Sequence, residues 1–308
     1  MPIERIENIL VIGAGTMGRQ IAWQCATHGF QVALADDSET ALQGAKQLLA
    51  GFAADAVRTG RFTDIETQAA LQRITLTNRP DTTAIDLVSE SVYEDPALKI
   101  RIFAELNASC PAHTIFTTNS STLLPSMMAS ASGRPDRFAA LHFHLPVWSA
   151  NIVDVMGHPG TSPETIASVT DFARRIGQIP IVLKRENSGY VFNDMFNALN
   201  TSAIHLVATG VATIEDVDRA WMGIMKMPLG PGGWLDQIGL DTVWRITDFW
   251  ANMLSDPKLL TNAALLKRYI DAGRLGVKSG AGFYHYPYPA YEQNGFIDGE
   301  SIDQDLLG

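Results

Sequence analysis

In the first half of the chain, apolar residues come in short runs closed by turn residues, with helical patterns between them. Residues 8–12 (NILVI) are the first such run and end at a glycine-rich turn. A helical pattern follows over 16–28, Gly29 closes it, and 31–36 (QVALAD) is a second apolar run. Strand, turn, helix and strand within about 30 residues make a βαβ unit. Helical segments continue to residue 73. Further strands are predicted at 74–77, 86–90, 114–118, 138–143, 152–156 and 179–184, with helical pieces between several of them. Strands alternating with helices predict a mostly parallel sheet covered on both faces. The helix near 163–176 is punctuated by a capping Ser162, Pro163 in its first turn, Arg174 and Arg175 at its negative end, and Gly177 beyond.

The pattern changes after Lys184. Residues 185–189 (RENSG) read as a linker, and from 190 to about 272 the periodicity is helical, with Gly210 ending one helix and Thr213 capping the next. The expected fold is therefore α/β, with an N-terminal doubly wound sheet over 1–185 and an all-helical C-terminal domain over 186–308.

Of 308 residues, 46% are hydrophobic and 18% charged, enough apolar material for a core without disulfide or metal staples. The net charge of −10 argues against nucleic acid, which needs a basic face, and weakly against anionic membranes. The two cysteines, Cys25 and Cys110, are in no zinc-binding spacing, so no metal site is expected. The N-terminus lacks the pattern of a signal peptide, and no run is long enough to span a membrane. The expectation is a soluble cytoplasmic protein.

Gly13-Ala14-Gly15-Thr16-Met17-Gly18 is a G-x-G-x-x-G turn that follows a strand and opens a helix, as in a Rossmann-type domain. Gly13 permits the tight turn, Gly15 lets the backbone approach a pyrophosphate, and Gly18 lets helix and strand pack closely. The helix N-terminus, with Thr16 and Met17 in its first turn, presents free N–H groups to phosphate. Asp36, at the end of the second strand, is placed to accept hydrogen bonds from a ribose diol. Asp37 follows it with no arginine or lysine beside it, which favours NAD over NADP.

His142 lies at the end of a predicted strand and Asp154 within the next. In a dehydrogenase a base takes the hydroxyl proton as hydride leaves carbon, and a histidine suits that task. A carboxylate on its other ring nitrogen fixes the tautomer. Spacing alone leaves open whether the two touch, and a structural histidine is the alternative.

The stretches VIGAGTMG, LVSESVYEDPALK, TIFTTNSSTL, RFAALHFHLP, SGYVFND, GPGGWLDQIGLD and GRLGVKSGAGFY resemble, in order and spacing, the short monofunctional 3-hydroxyacyl-CoA dehydrogenase family. The resemblance implies an NAD-binding domain, a helical domain that usually dimerises, and an acyl-CoA substrate between them. It implies His142 as acid–base residue, Asp154 at the place of its paired glutamate, Ser121 near the substrate hydroxyl, Asn193 at the reacting oxygen or thioester, and Glu90 and Lys99 on the nicotinamide side. Plainer readings are a loop cap for Ser121, a helix cap for Asn193 and a solvated charge for Lys99. Gly230, Gly232, Gly233 and Asp236 read as structural, and Gly280 and Gly282 as turns.

Three departures stand out. The family's H-F-F-N-P is His142-Phe143-His144-Leu145-Pro146 here, so Leu145 cannot make a polar contact, and His144 is read as a solvent-facing loop residue. Asp154 is one methylene short of glutamate, so a direct bond needs closer backbones and otherwise a bridging water. The arm at 44–62, where the family binds coenzyme A through a serine and lysines, has Phe52 and Asp55 beside Lys46, Arg58 and Arg61. Trp148 either shapes the substrate pocket or packs at the domain interface. The function expected is NAD-dependent interconversion of 3-hydroxyacyl-CoA and 3-oxoacyl-CoA. The alternatives are oxidation of a free 3-hydroxy acid of sugar-acid or carnitine type, and an NAD-binding structural or sensing protein without activity.

Overall fold

The computed structural model describes residues 6–299; the first five residues of the N-terminal stretch lie outside it. The chain divides between Phe192 and Asn193 into two units.

The first unit runs β1 (Asn8–Ile12), α1 (Thr16–Thr27), β2 (Gln31–Ala35), α2 (Glu39–Arg58), α3 (Asp64–Gln72), β3 (Ile74–Thr77), β4 (Leu87–Glu90), α4 (Pro96–Ser109), β5 (Ile115–Thr118), α5 (Ser126–Ala129), β6 (Phe138–Phe143), β7 (Ile152–Gly157), α6 (Pro163–Arg175) and β8 (Ile179–Val182). One sheet holds all eight strands in the order 3-2-1-4-5-6-7-8. Neighbours are parallel except β6 and β7, which are antiparallel. Strand order reverses between β1 and β4, and beyond the carboxyl ends of such a pair an open α/β sheet binds its ligand.

The sheet is covered on both faces because side chains alternate along its strands. On β1, Ile9 and Val11 join a core with Ile21, Trp23, Leu34 and Phe172, while Leu10 joins Val88, Phe103, Phe116 and Phe138 on the other side. Helix starts follow the sequence signals. Ser38 caps α2, Thr63 and Glu66 form a capping box on α3, Asp95 caps α4 ahead of Pro96, and the Ser162 hydroxyl accepts from the Thr165 N–H on α6. Cys25, on α1, and Cys110, at the end of α4, are both buried and free. Burial pushes the Cys25 thiol far above its ordinary value.

The second unit contains α7 (Phe192–Ala208) from Asn193 onward, α8 (Ile214–Met225), α9 (Pro231–Ile238), α10 (Leu240–Leu254) and α11 (Pro257–Asp271). Its core gathers Ile204, Leu235, Leu240, Leu266, Tyr269, Phe283 and Tyr284. Two buried carboxylates pin its loops. Asp218 accepts from the N–H groups of Gly232 (2.7 Å) and Gly233 (3.0 Å) and the Tyr284 hydroxyl (2.9 Å). Asp236 accepts from the N–H groups of Phe283 (2.8 Å) and Tyr284 (2.9 Å) and the Tyr286 hydroxyl (3.0 Å). Burial pushes both carboxyls up to about 6 against these bonds. Among the described residues no helix is long and apolar enough to cross a membrane.

Candidate active site

Each glycine of the first turn is needed for a different reason. Gly13 has φ +100°, and a Cβ there would lie 2.6 Å from the Ser91 carbonyl oxygen. A Cβ on Gly18 would lie 1.8 Å from the Gly13 carbonyl oxygen, so only glycine lets α1 start against β1. Gly15 is exposed, with nothing within 4 Å of where a Cβ would be, and it caps α1 without a side-chain bond. The first turn of α1 carries no acidic residue, so its N–H groups are free to face an anion. Thr16 is exposed there and Met17 half-buried.

Asp36 Oδ2 accepts the Ala14 N–H at 2.8 Å and Oδ1 the Ser38 N–H at 2.9 Å. The carboxylate thus holds the glycine turn closed, and each oxygen keeps a lone pair for a diol. Two buried polar atoms flank the turn without a partner, Ser91 Oγ and Arg19 Nε. An open glycine face, an uncapped helix start, a carboxylate with spare capacity and two orphaned polar atoms fit the pyrophosphate and ribose of a dinucleotide.

The second group of side chains sits where β6 and β7 pair. His142 and Asp154 are directly opposite each other in the antiparallel register, which brings their side chains onto one face. His142 Nδ1 donates to Asp154 Oδ2 at 3.1 Å, so the shorter side chain reaches without a bridging water. Both residues are buried. Burial works against the Asp154 charge, yet the bonds from the two neighbouring histidines hold its carboxyl below the ordinary carboxylate range. Because Nδ1 carries the proton, Nε2 of neutral His142 is an acceptor, and Ser121 Oγ lies 3.4 Å from it.

The second of those histidines is His144, which corrects the sequence expectation. It is half-buried rather than solvent-facing, and its Nε2 donates to the same Asp154 Oδ2 at 3.1 Å. The reason is the strand period: residues two apart share a face, so His144 continues the face of His142 just past β6. Among the described residues, His142, His144 and Asp154 are the one His/Cys/Asp/Glu group tight enough to hold a metal ion. Their hydrogen bonds alone account for the spacing.

Three further residues brace the site and were not singled out from sequence. Tyr190 stacks on the His142 ring (4.4 Å between centroids, 4° between planes) and donates its hydroxyl to the Ser120 carbonyl at 2.6 Å. It does so from a left-handed backbone, φ +54°. Asn119 Oδ1 accepts the Phe143 N–H at 2.8 Å. Glu94 gathers the 120–122 turn, accepting from the Ser120 hydroxyl, the Ser121 N–H (3.1 Å), and the Thr122 N–H (3.1 Å) and hydroxyl (3.0 Å). Burial opposes its charge, but these donors and Lys99 keep its carboxyl below the ordinary range. The only sequence signal was an acid close after a strand end, facing a turn rich in N–H and O–H donors.

Glu90 and Lys99 form a buried pair at 2.6 Å, with exposures of 0% and 1%. This rules out a solvated charge for Lys99. Glu90 also accepts from the Thr118 hydroxyl at 2.7 Å and the Val92 N–H at 2.8 Å. The pair thereby ties together the ends of β4, β5 and α4.

Asn193 sits in the first turn of α7, half-buried, at the start of the second unit. Leu145 is exposed. Trp148 packs edge-on against Phe52 (5.0 Å), and the Arg61 guanidinium covers its ring at 5.2 Å. Asp55 engages both arm arginines, Arg58 at 2.5 Å and Arg61 at 2.8 Å. Lys46 is exposed and lines a cleft of about 610 Å³ with Leu42, Leu49, Leu76 and Thr77.

Comparison with known proteins gives two family matches. Residues 8–186 match the 3-hydroxyacyl-CoA dehydrogenase NAD-binding domain, and residues 189–286 match the 3-hydroxyacyl-CoA dehydrogenase C-terminal domain. A probable 3-hydroxybutyryl-CoA dehydrogenase of Bacillus subtilis is 35% identical over 91% of this chain and 98% of its own. Among solved structures, a diketoreductase described as carrying out substrate-directed dual catalysis of dicarbonyl compounds is 41% identical, with a TM-score of 0.86 over 92% of this chain and 100% of its own. The (S)-3-hydroxybutyryl-CoA dehydrogenase of Ralstonia eutropha is 29% identical, with a TM-score of 0.83 over the same shares.

Proposed function

We propose, because this chain belongs to the 3-hydroxyacyl-CoA dehydrogenase family, that His142 is the acid–base residue of its reaction and Asp154 the carboxylate that holds it. The protein is an NAD-dependent oxidoreductase acting on a CH–OH group. The observation that carries the reading is the Nδ1–H bond to Asp154, which leaves His142 Nε2 as the acceptor beside Ser121.

NAD held at the glycine turn would supply the hydride acceptor for oxidation and, in reduced form, the hydride donor for reduction. In oxidation His142 Nε2 removes the hydroxyl proton, and in reduction the imidazolium gives it back. Asp154 stabilises the imidazolium and prevents the ring from flipping. Ser121, with its loop held by Glu94, orients the reacting oxygen and stabilises charge developing on it. Asn193 is assigned a bond to that oxygen or to the thioester on its match in YVFND alone. Gly13, Gly15, Thr16, Met17 and Gly18 would cradle the pyrophosphate, and Asp36 would hold the ribose. Glu90 and Lys99 act on the nicotinamide side by fixing the main chain around Val92 and Thr118.

For the substrate we propose a 3-hydroxyacyl-CoA, interconverted with its 3-oxo form. A second reading, a free hydroxy or dicarbonyl compound, is favoured by one observation: Asp55 occupies both arginines of the arm that would meet coenzyme A phosphates, and phosphates need such charge-assisted donors. The related diketoreductase points the same way. A non-catalytic role is not favoured. Steady-state turnover of 3-hydroxybutyryl-CoA against a panel of free 3-hydroxy acids and dicarbonyl compounds decides between the two substrates. We expect saturation by the thioester below about 0.1 mM; silence with every CoA ester would sink the first reading. We further propose a cytoplasmic homodimer formed through the helical unit, supported by Ile246, Phe249, Trp250 and Met253 exposed on α10. A monomer by light scattering would retire it.

A further inference from the structure

The carboxylate that holds the catalytic base is shared. Asp154 Oδ2 accepts one N–H from His142 and a second from His144, each at 3.1 Å, and the two rings meet edge to face at 4.8 Å. His144 is also packed against Phe192. The Asp154 oxygen is buried, so neither donor competes with bulk water for it. Resting on the acid–base role given to His142, we propose that His144 is a positioning residue that divides the Asp154 charge between two imidazoles and so sets the pH range in which His142 works as a base.

The physics has one sign in both protonation states of His144. Neutral, its Nε2–H draws part of the Asp154 charge away, leaving less to stabilise a His142 imidazolium. Protonated, it adds a positive charge next to the His142 ring and disfavours a second one. Either way His142 gives up its proton more readily than it would facing Asp154 alone, and the base stays available at lower pH. The donor to Asp154 also fixes the tautomer of His144, with the proton on Nε2.

The remaining titratable and charged groups around the pair do not share this role. Tyr190 stacks on His142, but burial and the charges of Asp154, Glu94 and Glu90 push its hydroxyl far up, and it donates to Ser120. Glu90 is neutralised by Lys99, which also lies 3.4 Å from Glu94. Glu94 is occupied by the 120–122 turn.

The test is the pH profile of kcat/KM for NAD-dependent oxidation of 3-hydroxybutyryl-CoA by wild type, His144→Phe and His144→Gln, each normalised to its own plateau. The acidic limb should move up by about 0.5–1 pH unit in His144→Phe, a relative loss of about 3- to 10-fold one unit below the wild-type midpoint. His144→Gln keeps an N–H donor without a titrating ring and should fall between. Coincident limbs in all three proteins overturn the proposal. Imidazole ¹⁵N resonances of the wild type at pH 8 give a reading that needs neither a variant nor turnover: protons on His142 Nδ1 and His144 Nε2 are expected, and an unprotonated His144 Nε2 overturns the proposal. His142→Ala separates the two layers. If it keeps full plateau activity, the acid–base reading itself fails; if it loses activity while the His144 limbs coincide, only the shared carboxylate fails.

Discussion

His142→Ala should lower kcat by two to four orders of magnitude, the usual range for removing a positioned general acid–base group, while NADH still quenches or enhances fluorescence on binding. The separation is expected because the glycine turn and Asp36 make no hydrogen bond to His142 and are held by their own partners, Ala14 and Ser38. The ring is buried beneath Tyr190, so its removal leaves a small cavity and a modest loss of melting temperature. That cost is separated from the catalytic one by measuring kcat well below the melting transition. Asp154→Asn should lose less than His142→Ala, because the amide still touches both rings but carries no charge to stabilise an imidazolium. A His142→Ala enzyme within tenfold of wild type would overturn the proposed chemistry whatever the family says.

Lys99→Met should destabilise the first unit by about 3–5 kcal/mol, the cost of leaving one charge of a buried pair without the other. Glu90 is fully buried and its remaining donors, the Thr118 hydroxyl and the Val92 N–H, are neutral. Removing the negative partner as well should recover most of the loss, so the double variant Glu90→Gln/Lys99→Met is expected to be more stable than Lys99→Met alone. Urea unfolding of the four proteins of that double-mutant cycle gives the coupling directly. A single Lys99→Met loss below about 1 kcal/mol would show that the pair is wetter than its burial implies.

Much of this fold could be read from the chain before any coordinates. Runs such as 8–12, 74–77 and 138–143 are short and apolar, and their ends coincide with the strands observed. The glycine turn was legible because Gly13 and Gly18 are forced by nearby backbone atoms, Gly13 by a positive φ as well, while the open Gly15 completes the spacing. The pairing of His142 with Asp154 was not. Both lie in apolar runs, and hydrophobic periodicity carries no information on whether neighbouring strands run parallel or antiparallel. Only the reversed direction of β7 puts these two positions opposite each other. His144 escapes the sequence pattern for a related reason: β6 does end at Phe143, but the two-residue period that aligns His144 with His142 carries on one residue past that boundary. Glu94 and Tyr190 stayed hidden because they act on main-chain groups of the 120–122 turn, far away in sequence.

The buried thiols have a practical consequence. This chain has two cysteines, and both belong to the sheet-bearing unit, Cys25 fully enclosed and Cys110 nearly so. An alkylating reagent therefore finds almost no reactive sulfur until that unit opens, and in the helical unit it finds none at any stage. The rate at which label appears on Cys25 is thus a clock for opening of the nucleotide-binding half alone, and its slowing by added NADH reports how tightly the dinucleotide clamps that half shut.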